Sequence, residues 1–284
     1  MSPQLVGFFF VILAGIGFGF LGIFGRLAFQ SGLNVGELLT FRFTLAALLM
    51  WIGVAIFNRK LIHLTVRQIL ISAGLGTFGY AVFSTLYFKS IEGISVPLAA
   101  LLLFTFPIFV NLGAHLFLKE KMNKKQFLSL LLACTGLTIL VWGPLVVNSM
   151  KSVLFALAAA FTYAIYVLVS GKLQQNVKPL SSSLYVISSA AIALFLFHQP
   201  EFSRVAELNS LQWAVVVGIA IISTIAPLTL FLAGLQRLPS AKASIVVMIE
   251  PVVAAVAAWM LLGEKLTPTQ MFGSLLVLTA IALA

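Results

Sequence analysis

Aspartate is absent from the 284-residue chain, and its only acidic side chains are seven glutamates. That absence excludes intramembrane aspartyl catalysis and Asp-rich diphosphate binding. Cysteine occurs once, at Cys134, so no internal disulfide can form and the redox compartment is not encoded. The chain has no Walker-type phosphate loop, no H-E-x-x-H and no G-x-S-x-G, and only His63, His115 and His198 could serve as histidine bases. Charge of either sign is scarce, at 8% of residues against about 25% in soluble domains. Between closely spaced apolar segments no soluble domain has room to form.

What is there is hydrocarbon: 61% of residues are hydrophobic. Apolar windows of roughly 20 residues, the length a helix needs to cross a bilayer, recur along the whole chain. The expected fold is all-α and integral to the membrane, with about ten spans at 4–29, 36–57, 68–89, 95–117, 125–145, 151–171, 180–197, 211–235, 241–262 and 267–284. Short connections make neighbouring spans antiparallel. A cleavable leader is not expected, because nothing basic precedes the first apolar run. The net charge of +10 is scattered over short loops, which reads as membrane topology and not as nucleic-acid binding. With the amino terminus inside, Arg59, Lys60, Arg67, Lys119, Lys121, Lys124, Lys125, Lys172, Lys178, Arg237 and Lys242 fall on the cytoplasmic side. Arg26, Lys89, Lys151, Arg204 and Lys265 fall opposite, so the bias favours both termini cytoplasmic.

Two stretches resemble each other, "LLFTFPIFVNLGAHLFLKEKM" at 102–122 and "VVMIEPVVAAVAAWMLLGEKL" at 246–266. Pro107 and Pro251 stand 144 residues apart, and the same shift aligns Glu120 with Glu264, Lys121 with Lys265, Gln126 with Gln270 and Thr135 with Thr279. The pattern predicts two five-helix repeats, 1–146 and 147–284. An odd number of spans per unit places the copies oppositely in the membrane, the architecture of secondary transporters. These paired proline and (G/K)EK segments, with "LLTFRFTLAALLM" around Arg42 and "RLPSAKASIVVMIEP" before the ninth span, resemble the drug/metabolite transporter superfamily, in its EamA-type branch. The first span, "GIGFGFLGIFGR", departs from the usual aromatic-glycine turn of that branch. The resemblance covers essentially the whole chain. It implies a ten-helix bundle around a central cavity and, most often, export of amino acids or other small metabolites.

Where the first repeat has Phe106, the second has Glu250. An ionised carboxylate at mid-bilayer costs about 2.5–3.5 kcal/mol, so Glu250 should face a cavity or a partner. It could carry a proton or meet a cationic substrate group; it could also hydrogen-bond backbone freed by Pro251. Arg42, about a turn and a half into the second span, could pair with Glu250 or a substrate carboxylate, or snorkel to the outer interface.

Tyr80, Ser84 and Tyr87 share a face of the third span, and Phe104, Ile108, Asn111 and His115 form a similar stripe on the fourth. Tyr163 and Tyr166 share a face of the sixth; Ser223 and Thr224 interrupt the eighth before Pro227. Together they could wall an amphipathic cavity, although packing would explain each one singly. The candidate substrate- or proton-binding set is therefore Glu250, Tyr80, Ser84, Tyr87, Asn111, Tyr163, Tyr166, Thr224 and Arg42, with Pro107 and Pro251 as hinges and Phe106 as the apolar wall opposite the acid. Glycines 15, 19, 22 and 25 predict close helix approach along the first span.

The function this supports is secondary active transport of a small polar or amphipathic metabolite by alternating access, in exchange or coupled to protons. Export of cationic drugs or amines is the alternative; a channel and a membrane-embedded enzyme carry little weight. No catalytic residue, metal or cofactor is expected. The expected partners are a small-molecule substrate, the lipid bilayer and protons as coupling ion, with no nucleic acid, in a monomer or homodimer of the bacterial inner membrane.

Overall fold

The computed structural model describes residues 2–143, 146–201 and 203–284. Eight helices among them are long and apolar enough to cross a membrane: α1 (Pro3–Gln30), α2 (Val35–Phe57), α3 (Val66–Ile91), α4 (Val96–Leu118), α6 (Met150–Leu173), α7 (Pro179–His198), α8 (Ser210–Leu235) and α9 (Ser240–Leu262). Two shorter helices, α5 (Lys124–Leu140) and α10 (Pro268–Leu283), complete the ten expected segments. Helix α5 stops well before the expected end of the fifth span, and positions 144–145 of that span lie outside the described residues. A short helix, Ser203–Glu207, occupies the α7–α8 connection, where no regular element was expected.

Local sequence explains where the helices start. Five begin with a capping box: Asn34 with Glu37, Thr65 with Gln68, Asn123 with Gln126, Asn209 with Gln212, and Thr267 with Gln270. Each satisfies two backbone donors that would otherwise be orphaned at the helix end. The boxes of α3 and α8 stand 144 residues apart, as do those of α5 and α10.

Some departures from regular helix recur at nearly the same interval. Helix α3 carries a π-helical turn at Leu75–Ala81, and α8 carries one at Ile221–Ile225. Helix α4 breaks after Leu103 and α9 breaks after Val246, each shortly before its proline. Both broken helices end on a left-handed residue, Lys119 (φ 58°) and Gly263 (φ 69°). Glycine adopts that conformation freely, whereas lysine does so at a cost of about 1–2 kcal/mol. Counterparts are five helices apart in the chain, an odd number, so corresponding helices enter the membrane from opposite faces. The two faces are named here by their motif acids, the Glu120 face (the α4–α5 connection) and the Glu264 face (the α9–α10 connection).

Helix α1 packs on α8 and α9, α7 packs against α2, α3 and α8, α6 packs against α3 and α4, and α5 pairs with α10. Small residues set the last contact: a Cβ on Gly273 would lie 2.5 Å from the Leu140 nitrogen, and one on Gly136 would lie 2.8 Å from the Gly273 carbonyl oxygen. The Ser129 hydroxyl donates to the Ala280 carbonyl at 2.6 Å across the same seam. Of the glycines expected to bring α1 close to its neighbours, Gly15 and Gly19 do so against α9, whereas Gly22 and Gly25 have open space around them. The reason is a break in α1 at Phe20, which turns the later residues out of phase.

Gly273→Val should therefore lower stability by about 1–3 kcal/mol through forced overpacking. Gly22→Ala should leave it unchanged, and thermal unfolding in detergent measures both.

Candidate functional site

Helix α9 presents its acid at a discontinuity. The segments Ser240–Val246 and Ile249–Leu262 meet at Val247–Met248, and Glu250 lies in the first turn of the second. Pro251 has no N–H to give the Val247 carbonyl, and the Glu250 N–H takes that carbonyl at 3.0 Å in a tighter turn. The carboxylate thus sits at the positive end of a half-helix, where the helix dipole favours negative charge. Glycines 15 and 19 of α1 press on this break. A Cβ on Gly19 would lie 2.9 Å from the Glu250 carbonyl oxygen, and one on Gly15 would lie 3.2 Å from that of Val247.

Arg42 does not snorkel. It is 2% exposed, and its Nε donates to the Thr224 hydroxyl at 2.5 Å while Nη2 donates to the Ser223 carbonyl at 2.9 Å. Proline explains that carbonyl. Pro227 lacks the N–H that would bond to the residue four positions back, so the Ser223 oxygen is free to accept from α2. The π-helical turn just before Pro227 also widens the helix here. Thr224 donates onward to the Ile219 carbonyl at 2.8 Å, and Ser223 Oγ donates to the Gly17 carbonyl at 2.8 Å. The Arg42 guanidinium also lies over the Phe43 ring, 4.9 Å from its centroid.

Arg42 and Glu250 are close enough to interact electrostatically, and Tyr80 lies within reach of both. They do not form an ion pair: among the described residues the ion pairs are Arg26–Glu264, Arg204–Glu37 and Arg204–Glu207. Tyr87 and Tyr163 also fall within electrostatic reach of Glu250. The carboxylate therefore stands among Tyr80 and Tyr87 of α3, Tyr163 of α6 and Arg42 of α2.

Aromatic rings form the wall. Tyr163 and Tyr166 lie parallel with centroids 5.9 Å apart, and Phe83 stacks on Tyr163 at 4.8 Å. Phe106 meets Tyr163 edge-on at 4.7 Å, and Tyr80 meets Phe43, Phe83 and Tyr166 edge-on at 5.3–5.7 Å. Phe106, the counterpart of Glu250, is thus part of the wall. Sequence reasoning missed Phe83 and Phe43. Phe83 stands three residues after Tyr80, but among 25 phenylalanines that spacing is no signal.

Other candidates fall elsewhere. Ser84 is buried one helical turn beyond Tyr80. Asn111 is 4% exposed and donates to the Pro107 carbonyl at 2.8 Å and to Ser244 Oγ at 3.5 Å, with its own Oδ1 unpartnered. Ser244 precedes Glu250 by about 9 Å along the helix at the α-helical rise per residue. Asn111 therefore belongs to the seam between α4 and α9, not to the ring wall. The expected stripe on α4 does not hold as one face. Phe104 is buried, whereas Ile108 and His115 are exposed. The break at Phe104–Thr105 and a π-helical turn at Ala114–Leu118 reset the helical phase that the stripe assumed.

Helices α4 and α9 form a V. Their halves toward the Glu120 face, Phe106–Gly113 and Ser240–Val246, pack together through Asn111 and Ser244. There Glu120 accepts from the backbone N–H groups of Ser240 and Ala241, both at 3.2 Å, and so caps the start of α9. Gln174 donates to Ser72 Oγ at 2.9 Å and Gln236 donates to the Gln174 carbonyl at 2.7 Å, tying α3, α6 and α8 together on that face. The halves toward the Glu264 face turn away from each other, Val96–Leu103 onto α6 and Ile249–Leu262 onto α1 and α10. Glu250, at the junction of the V, is partly accessible. At the Glu264 face Arg204 donates to Glu37 and Glu207, and both carboxylates raise its already high pKa.

Ten antiparallel helices in inverted halves, with ionisable groups held at a break between them, define a polytopic membrane protein of the transporter kind. The model of the EamA-like transporter family matches twice, over residues 5–142 and 150–284, and the chain belongs to that family. An uncharacterized transporter of Archaeoglobus fulgidus is 26% identical over 74% of this chain and 74% of its own length. The uncharacterized transporter YcbK of Bacillus subtilis is 25% identical over 94% of this chain and 88% of its own length. A solved crystal structure superposes with a TM-score of 0.80 over 99% of this chain and 95% of the other at 16% identity, a likeness of fold alone. The family and its named relatives indicate transport, not enzymatic catalysis.

The Arg42 anchorage is open to test. Thr224→Val removes one acceptor and should cost about 1–3 kcal/mol, because a buried guanidinium loses one of its partners. Thr224→Ser should retain most of the stability, and thermal unfolding of both variants measures the difference.

Proposed function

We propose that the protein is a secondary active transporter that exports a small zwitterionic metabolite of the amino-acid class by alternating access between two inverted units, 1–146 and 147–284. The observation that carries this reading is the separation of Arg42 and Glu250. Each charge stands at the same junction, neither neutralises the other, and the rings of Tyr80, Phe83, Tyr163 and Phe106 lie alongside. A substrate with an ammonium and a carboxylate supplies both missing counter-charges. Its ammonium meets Glu250 and the electron-rich ring faces, and its carboxylate meets the Arg42 donors that α8 leaves free. Apolar walls with few polar anchors are what small-molecule sites usually provide. Export rests on the family resemblance.

The Lys and Arg distribution supports a cytoplasmic Glu120 face, so the V opens outward in this conformation. Glu250 is the group on which substrate and proton compete, which provides coupling or exchange without a nucleotide. Pro107 and Pro251 are the hinges, and the Glu120 cap on α9 is the cytoplasmic latch. Transport opens that latch and closes the opposite halves.

A thermal-shift screen of the purified protein against amino acids, amines and carboxylates tests the site. Glu250→Gln should abolish the shift caused by an amino acid, and Arg42→Gln should abolish it for amino acids and carboxylates but not for simple amines. Stabilising compounds indifferent to both changes would rule the assignment out. An amine that needs Glu250 alone would favour a cationic substrate instead.

The latch has its own test. Glu120→Ala should shift the equilibrium toward the inward-open form by about 1 kcal/mol, roughly fivefold, the usual worth of a helix cap. In a Cys134→Ala background, thiol labelling at Ser244→Cys should speed up by that factor. An unchanged rate would refute the latch.

A further inference from the structure

A groove lies on the flank of the bundle, away from Glu250. Helices α2 and α8 cross near Arg42 and Thr224 and diverge toward the Glu120 face, with α7 beneath them. The resulting groove encloses about 440 Å³ and is lined by Met50, Gly53, Val54 and Phe57 of α2, Leu180 of α7 and Ile225 of α8. Gly53 leaves its floor open: a Cβ there would meet nothing within 4 Å. The lining is almost wholly apolar, with Asn58 as its one polar side chain.

Three cations lie within two residues of the lining positions Asn58 and Leu180. Arg59 and Lys60 follow Asn58 directly, Lys178 precedes α7 two residues before Leu180, and all three are exposed. Arg59 Nε donates to the Ala55 carbonyl at 2.9 Å, which ties the guanidinium back to the end of α2 beside the groove. The short 3₁₀ helix Arg59–Ile62 is held in turn by the Tyr185 hydroxyl, which donates to the Ile62 carbonyl at 2.7 Å. Arg59 is therefore positioned by the fold, on the face that carries most of the basic residues.

We infer that this groove is a binding site for an anionic glycerophospholipid, with one acyl chain along Gly53 and the phosphate against Arg59, Lys60 and Lys178. Charge complementarity selects the occupant. An apolar slot alone would accept any lipid tail, but three cations at headgroup depth favour a headgroup with net negative charge. The site is distinct from the substrate junction: its lining includes neither Glu250 nor Arg42 nor any ring of the wall, and Ile225, next to Thr224, is where it adjoins the Arg42 anchorage.

Native mass spectrometry of the protein loaded with phosphatidylglycerol or phosphatidylethanolamine tests the inference. Phosphatidylglycerol should remain bound at collision energies that strip phosphatidylethanolamine. Each of Arg59→Gln, Lys60→Gln and Lys178→Gln should reduce that preference about fivefold, as expected for one cation near a charged lipid surface. Gly53→Trp fills the slot and should remove the retained lipid altogether. Should that variant fail to fold, Leu180→Trp, at a partly exposed rim position, blocks the entrance and should do the same. Equal retention of the two lipids, or retention of phosphatidylglycerol by the blocked variants, would overturn the site.

Discussion

The buried guanidinium of Arg42 is the interaction on which the centre of this molecule depends. A cation in hydrocarbon is tolerated only with partners, and here those partners come from a helix disrupted for the purpose. Pro227 withholds an N–H, a π-helical turn widens α8, and the Ser223 carbonyl and Thr224 hydroxyl become available to α2. Arg42 is thereby fixed by neutral acceptors on α8, with no carboxylate in ion-pair contact among the described residues. Arg42 and Glu250 thus stand within electrostatic reach of each other at the junction without forming an ion pair.

The same economy governs α4 and α9. In a bilayer every backbone group must find a partner, so a helix breaks only where another group steps in. At α9 the Glu250 N–H closes the gap left by Pro251, and Gly15 and Gly19 let α1 lie against the break. At α4 the Thr105 N–H and hydroxyl both take the Leu102 carbonyl, at 3.2 and 2.7 Å. These devices give two bent helices that meet at one face and separate at the other. The acid marks where the two copies ceased to be equivalent, since Phe106 in the corresponding place is absorbed into the ring wall.

Much of this was legible in the residues. Apolar windows outlined the ten helices, and paired prolines with Glu-Lys motifs revealed the 144-residue interval that capping boxes, π turns and helix breaks then follow. Glu250 stood out because a lone carboxylate in an apolar run is expensive. What periodicity could not supply was phase. The stripe drawn through Phe104, Ile108, Asn111 and His115 assumed an unbroken 3.6-residue repeat, and two interruptions turned Ile108 and His115 outward. The kink at Phe20 likewise turned Gly22 and Gly25 away from any close helix approach. Phe83 went unnoticed because an aromatic residue in an apolar helix looks the same whether it faces a cavity or lipid.

By itself, then, the sequence determined the medium, the number of helices, their alternation and the internal duplication. All of these follow from local hydrophobicity and short-range capping, which each segment carries within itself. Whether Arg42 turns to the interface or inward was decided only by tertiary structure, because its partners lie on a helix some 180 residues away in the chain. So were the grouping of Tyr80, Tyr87 and Tyr163 about Glu250 and the opening of the V toward one face. Burial of a charge is a property of the assembled neighbours, and no local pattern encodes which of them will be there.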